Sequence, residues 1–340
     1  MKHDIQMIND KKEWNSFVFN HTSDTFHQSW EWGELYENLG NSVWRLAIVE
    51  KGIIQTTCLA MLVKAKRASF LLVPHGPIFS STSYQNELES IVEKLIQIGK
   101  NNACSFIRVA PIVERTNENR EIFIHCGFRA APIFVQSELS LVLDITPTME
   151  ELLKGMRKTT RQIVKRAKDY NVEYWSSTEK KDFEIFYNLY SQTVHQQKYV
   201  GHNRRFIENE FNTFKASGES TLCFVNVHGR PVAGAMIIIQ NNTGFYHYGA
   251  SVRSDENVPA PHLLQWYIIQ DLKNKGCVRY NFWGIAPEEK PSHPWRGLTV
   301  FKKGFGGTEK AYLETQDYIL KTTYWFNWLI EKARKIKRGY

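Results

Sequence analysis

The order of elements repeats, and that repetition constrains the fold more than any single motif. From Trp44 the apolar pattern predicts a strand to Val49, a tight turn at Lys51-Gly52, a long strand from Thr56 to Lys64 and a third strand from Phe70 to Val73. A helix over about 85–100 and a returning strand from Ser105 to Val109 follow. The same order begins again at Leu222: a strand to Val227, a turn at His228-Gly229, a long strand from Val232 to Ile239 and a strand from Phe245 to Gly249. A helix over about 261–274 and a strand from Val278 to Phe282 complete the second copy. The copies share order and turn placement rather than residue identity, so the duplication speaks for architecture and not for chemistry. At 340 residues with 42% hydrophobic side chains, the chain has apolar material for two cores.

A hairpin, a third strand, a helix and a returning strand resemble the core of N-acyltransferases of the GNAT type. The expected fold class is therefore α/β, with two tandem GNAT-like domains facing each other across a cleft. The first is expected over 1–145, completed by a C-terminal helix at 322–340, and the second over 146–321. They join after an alternating strand from Ser137 to Leu143. A helix then begins at a capping box of Thr148 and Glu151, with Met149, Leu152, Leu153, Met156, Ile163, Val164 and Ala167 on one face. The other face carries Lys154, Arg157, Lys158, Arg161, Lys165 and Lys168.

No stretch approaches the roughly 20 apolar residues of a membrane span, and the polar start Met1-Lys2-His3-Asp4 is unlike a signal segment, so a cytoplasmic protein is expected. Cys58, Cys104, Cys126, Cys223 and Cys277 stand singly, with no Cys-x-x-Cys and no histidine at metal-ligand spacing, which predicts reduced thiols and no metal. A formal net charge of +8 favours an anionic partner, and leaves nucleic acid, phosphorylated metabolite and acidic membrane open.

Three clusters are candidates for chemistry. The basic helix face, Lys158, Arg161 and Lys165 above all, has the charge to neutralise a diphosphate or an RNA backbone, although amphipathic helices also carry such charges as a solvated face. Phe245, Tyr246, His247 and Tyr248 share one strand, with Tyr280, Phe282 and Trp283 in the next; alternation places Tyr246 and Tyr248 on one face, where phenols suit either a polar cleft or a hydrogen-bonded core. Phe301-Lys302-Lys303-Gly304-Phe305-Gly306-Gly307 joins fixed positive charge to glycines that let the backbone approach a ligand, or forms a surface turn.

In order along the chain, Gln28-Ser29-Trp30-Glu31-Trp32-Gly33, His75-Gly76-Pro77, Phe106-Ile107-Arg108-Val109-Ala110-Pro111, Tyr246-His247-Tyr248-Gly249-Ala250-Ser251, Phe282-Trp283-Gly284-Ile285 and Phe301 to Gly307 resemble the FemABX family. The family's twin-GNAT transferases take an amino acid from aminoacyl-tRNA and join it to the side-chain amine of a peptidoglycan stem peptide, lipid-linked or UDP-linked. The resemblance implies that Phe301 and Lys302 lie beside the aminoacyl ester, with Lys302 stabilising negative charge in the transition state. It implies a cleft lined by Tyr246 and Tyr248, with Trp283 and Lys303 nearby, and phosphate contacts from Tyr199, Arg204 and Arg205. Aminolysis of an activated ester needs a neutral amine, a held carbonyl and one cation, so neither covalent nucleophile, metal nor other cofactor is expected. The protein is expected to act as a monomer.

The sequence departs from the family at several positions. The first-lobe Asp of the Ile-Asp-Pro stretch is Ala110, the Arg of the Arg-Gly-Pro turn is His75, and the lysine after Gln28-Ser29 falls at Tyr36, which weighs against a nucleotide-linked acceptor. No sustained heptad run marks a long helical hairpin for tRNA. Two rival readings remain. One is an acyl-CoA N-acyltransferase, although Val252 to Pro261 lacks the glycines that cradle a pyrophosphate. The other is a non-catalytic RNA or membrane-surface binder, suggested by the aromatic-then-basic run Tyr324 to Tyr340. That run is either an interfacial segment or a last helix packing its aromatic side on the first lobe.

Overall fold

In the computed structural model, which describes residues 3–197, 199–253 and 258–339, the chain forms two α/β units. One comprises Met1–Leu139, Ala286–Pro294 and Lys310–Tyr340; the other comprises Ser140–Ile285 and Trp295–Glu309. The expected boundaries at 145/146 and 321/322 are corrected by strand pairing. Strand Leu139–Asp144 runs antiparallel to Arg279–Gly284 in the second sheet, whereas Gln316–Ile319 runs antiparallel to Phe106–Ala110 in the first. Residues 254–257, within the segment from Val252 to Pro261, and Tyr340 lie outside the described residues.

The first sheet is ordered Ile5–Met7, Val43–Glu50, Ile53–Lys64, Ser69–Pro74, Phe106–Ala110, Gln316–Ile319, Arg129–Ala130. Its hairpin closes at Lys51 and Gly52, with φ of 51° and 79°, a turn whose twist matches that of paired strands. Ser69–Pro74 and Phe106–Ala110 are parallel, so the chain must cross over between them, and helix Gln85–Asn101 does so. Its Leu88, Ile91, Val92, Leu95 and Ile98 form one stripe buried against Leu46, Ile48, Ala60, Leu71, Val73, Ile107 and Val109 of the sheet.

Several motif residues serve this unit's architecture. Gln28 donates to Pro74 O at 2.6 Å and accepts from Leu59 N at 2.9 Å, tying two strands together. The buried His75 accepts from Thr25 Oγ1 at 2.9 Å through Nδ1 and donates to Ser137 O at 3.2 Å through Nε2. Burial lowers its pKa to about 4, so it is neutral. Arg108 is likewise internal, bonded to Asp317 at 2.7 and 2.8 Å and to Glu331 at 2.8 and 3.2 Å.

The second unit repeats the plan. Its sheet runs Thr308–Ala311, Leu139–Asp144, Arg279–Gly284, Thr243–Ser251, Arg230–Gln240, Ser220–Val227, Val172–Ser177, with a matching turn at His228 and Gly229, φ 48° and 73°. Helix Ala260–Asn274 makes the crossover between the parallel strands Thr243–Ser251 and Arg279–Gly284. Those strands pair only from Thr243 to Phe245 and from Arg279 to Asn281, then part.

The single helix expected after Thr148 is two: Met149–Gly155 and Lys158–Lys165, with a 3-10 turn at Ala167–Tyr170. Between them Met156 and Arg157 are extended, and Arg157 N donates to Gly304 O at 3.0 Å. That tertiary bond replaces a helical one, which the periodicity of the sequence does not register.

Candidate functional site

The site is built where the two parallel strands of the second unit separate. Helix Arg296–Lys303 brings Lys302 there, with only 4% of its surface exposed. Its Nζ donates to the Gly284 carbonyl at 2.7 Å and lies 5.9 Å from the centre of the Tyr246 ring. Trp283, in the left-handed region at φ 66°, and an irregularity in pairing between Asn281 and Gly284 turn the strand end that presents this carbonyl. Burial lowers the Lys302 pKa from 10.5 to about 7, and no carboxylate pairs with it among the described residues. The amine is therefore poised between its charged and neutral forms at neutral pH.

Tyr246 and Tyr248 do not share a face. Tyr248 pairs with Met236 and Tyr246 with the adjacent Ile237, so a bulge at His247 inserts one residue and turns the two phenols to opposite sides of the sheet. Tyr246 lies on the side of Gly249, where an added Cβ would sit 1.7 Å from the Tyr246 hydroxyl, so the ring occupies space that only glycine leaves. Packing around this phenol raises its pKa to about 12, and its hydroxyl has no hydrogen-bond partner among the described residues.

Tyr248 is instead 8% exposed and donates to Glu210 Oε2 at 2.9 Å. Glu210, fully buried on helix Arg204–Ala216, also meets His247 Nε2 at 2.7 Å through Oε1. The His247 ring stands edge-on to Trp283 at 5.9 Å, which connects this carboxylate–imidazole pair to the strand gap. Sequence reading missed Glu210: it lies 38 residues before Tyr248 on a helix with no motif around it.

Phe301 stands edge-on to His262 at 4.8 Å and to Phe305 at 5.6 Å. His262 is half-buried, and burial, then the charge of Arg157, lowers its pKa. The glycines after Lys303 pack against the chain rather than opening to a ligand. A Cβ on Gly304 would meet Thr160 Oγ1 at 2.4 Å, and one on Gly307 would meet Val142 O at 2.9 Å. Lys303 is half-exposed and ion-paired to Glu309.

The remaining expected residues divide. Lys158, Arg161 and Lys165 follow i, i+3, i+7 spacing on helix Lys158–Lys165 and so share one face; Lys158 and Lys165 are exposed, and Arg161 donates to Lys154 O at 3.0 Å. Tyr199 sets its ring edge against Tyr190 at 6.5 Å and is close enough to Tyr246 for that phenol to raise its pKa, after burial and Tyr190. Arg204 is taken by Glu184 and Glu208 and lies over Tyr187, and Arg205 is exposed, so neither guanidinium is held at Lys302. Tyr36 belongs to the first unit, its ring 5.8 Å from Trp32.

The first unit contains an open cavity of about 1070 Å³ lined by Asp24, Glu114, Glu118 and Glu121 among others, with no lysine or arginine in its wall. Its charge is wrong for a phosphate, and it holds none of the expected site residues.

Comparison with known proteins gives one consistent relationship. The lipid II:glycine glycyltransferase of Staphylococcus epidermidis is 19% identical across 94% of this chain and 93% of its own length. The crystal structure of FemX superposes with a TM-score of 0.83 at 17% identity, covering 96% of this chain and all of that one. A tandem GNAT protein from the clavulanic acid biosynthesis pathway superposes at 0.59 and 8% identity, over 93% of this chain and 99% of its own. The FemAB family matches at residues 10–126, 123–230 and 227–332, nearly end to end, and the chain belongs to that family.

Proposed function

We propose that this chain transfers an aminoacyl group from aminoacyl-tRNA to an amine of a lipid-linked peptidoglycan precursor, building an interpeptide bridge. The observation that carries the reading is Lys302: a buried amine without a carboxylate partner among the described residues, held by one carbonyl where two parallel strands part, beside an unbonded phenol. Structural lysines are placed at the surface or paired; burying one unpaired is costly and suits a cation wanted at one point only.

In this reading the ester carbonyl of the donor sits against Lys302, and the protonated amine donates to the oxyanion formed when the acceptor amine attacks. The Tyr246 hydroxyl orients the same group, and Phe301 walls it. As the tetrahedral species collapses, the bond to the tRNA ribose oxygen breaks, the new amide remains on the acceptor, and the proton lost by the amine ends on the ribose hydroxyl. The face of Lys158, Arg161 and Lys165 supplies phosphate contacts for the tRNA. The relative from Staphylococcus epidermidis, named for glycyl transfer to lipid II, supports a lipid-linked acceptor and makes glycine the first donor to try.

The test offers the purified chain labelled glycyl-tRNA and labelled acetyl-CoA in parallel, each with a lipid-linked and a nucleotide-linked precursor. Label transferred from glycyl-tRNA to the lipid-linked precursor is the expected result. Transfer from acetyl-CoA alone would replace the reading by the acyl-CoA one.

A further inference from the structure

We propose that helix Tyr324–Arg338 docks the protein on an anionic membrane surface through an apolar stripe that the fold holds outward. A surface helix normally hides its apolar stripe and shows its charges. This one is reversed. Tyr324, Asn327 and Glu331, spaced i, i+3, i+7, are its buried positions, and each carries a polar group inward. Phe326, Leu329 and Ile336 are 66%, 61% and 73% exposed, and Trp325 is 41% exposed. With the exposed Ala333 they advance by three and four residues, which keeps them on one side of the helix. The segment therefore packs on the first unit only in part: Tyr324 is buried against Phe106 and Trp328 and Ile330 are half-buried, while Phe326 and Leu329 stay outside.

The rotation is fixed by a polar lock. Glu331 accepts from Arg108 at 2.8 and 3.2 Å, Arg108 grips Asp317 at 2.7 and 2.8 Å, and the Tyr324 hydroxyl donates to Asp317 at 3.0 Å. Turning the helix to bury its stripe would take Glu331 from a guanidinium that is 1% exposed and Tyr324 from Asp317, leaving buried Arg108 N–H groups without acceptors while Asp317 alone balances the charge. Exposure of the stripe is thus built into the fold.

The occupant that fits is a lipid headgroup layer. Lys332 and Lys337 flank the stripe on its two sides, with Arg334 further round, and the helix's one acidic residue, Glu331, is turned inward against Arg108. Trp325 borders the stripe at its start, under Arg129 at 4.5 Å, an amphipathic ring that favours the headgroup region. A helix of this length covers about 22 Å when it lies in the interface plane. No helix among the described residues is long and apolar enough to cross a membrane, so the contact is peripheral. A lipid-linked acceptor, which rests on the proposed function, would be met at the same surface.

The experiment is flotation of the full chain with phosphatidylcholine vesicles containing or lacking phosphatidylglycerol. Binding should require the anionic lipid and fall at high salt. Phe326→Ser, Leu329→Ser and Ile336→Ser together should cut partitioning at least tenfold with an unchanged denaturation midpoint, and Lys332→Gln and Lys337→Gln about fivefold each. Failure of the intact chain to float, or flotation of the triple variant like wild type, overturns the proposal. So does a concentration-dependent dimer that the triple variant abolishes, which would make the stripe a self-association surface, or a loss of tRNA retention without loss of flotation, which would make it a nucleic-acid surface. Transfer to a soluble acceptor analogue should be untouched in the triple variant; its absence from wild type, with flotation intact, would sink the function and leave the docking.

Discussion

Replacing Lys302 by methionine should stabilise the protein at low pH while removing its activity, and both effects come from the same burial. Burial alone moves its pKa from 10.5 to about 7. Because the folded value lies below the unfolded one, the unfolded chain binds the extra proton between those two values, and stability rises with pH across that window. At 1.36 kcal/mol per unit, keeping the amine in the fold costs on the order of 5 kcal/mol below pH 7, of which about 2 kcal/mol persist at pH 9. Methionine keeps the length and has no proton to lose. Against this gain stand one lost hydrogen bond and a Gly284 carbonyl left unpaired, together about 1–3 kcal/mol and the same at both pH values. Lys302→Met should therefore unfold at higher denaturant than wild type at pH 6, and that advantage should shrink by about 3 kcal/mol at pH 9. Transfer should fall at least a hundredfold, about 3 kcal/mol of transition-state stabilisation. Lys303→Met is the control: Lys303 is half-exposed and paired with Glu309, so rate and stability should change little. Equal destabilisation of Lys302→Met at both pH values would refute the burial argument, and near-normal turnover would refute the catalytic one.

Three further outcomes are expected. With an acceptor whose amine stays neutral throughout, the transfer rate should decline as pH rises through about 7, where Lys302 loses its proton; a rate that climbs instead would make Lys302 a base. Tyr246→Phe should slow transfer with stability almost unchanged, whereas Tyr248→Phe should lose about 1–3 kcal/mol by leaving a buried Glu210 oxygen short of a donor; matching losses from the two would contradict the opposed faces. Arg108→Leu should cost about 3–5 kcal/mol in denaturant unfolding, since it abandons two buried carboxylates, and a loss below 1 kcal/mol would show that the lock contributes little.

What the sequence disclosed was what its neighbours in the chain decide. The turns at Lys51-Gly52 and His228-Gly229 need left-handed backbone and are followed directly by long apolar strands, so element order was readable. Lys302 stood in a compact motif. The opposed faces of Tyr246 and Tyr248 were hidden because one extra residue at His247 inverts the alternation, and nothing in that strand marks the bulge. The break at Met156 was hidden because the groups that end the helix come from Gly304, far along the chain. Glu210 was hidden for the same reason: its use depends on His247 and Tyr248, which the fold and not the sequence brings to it.

The C-terminal helix shows where reading by pattern stops. Its aromatic-then-basic order was compatible with a helix packed by its rings and with one that shows them. Composition could not choose, because either rotation leaves the same residues in the same helix. The choice is made by Arg108, whose carboxylate partners Asp317 and Glu331 lie 209 and 223 residues later. In the motif Phe106 to Pro111 the arginine looked like one more family signature. In the fold it is the counter-charge that holds the polar side of the last helix inward, and so it decides which side chains the protein offers to its surroundings. A substitution at Arg108 mild enough to spare the fold, such as Arg108→Lys, should then loosen the helix and weaken vesicle binding even though the residue itself is buried and touches no lipid.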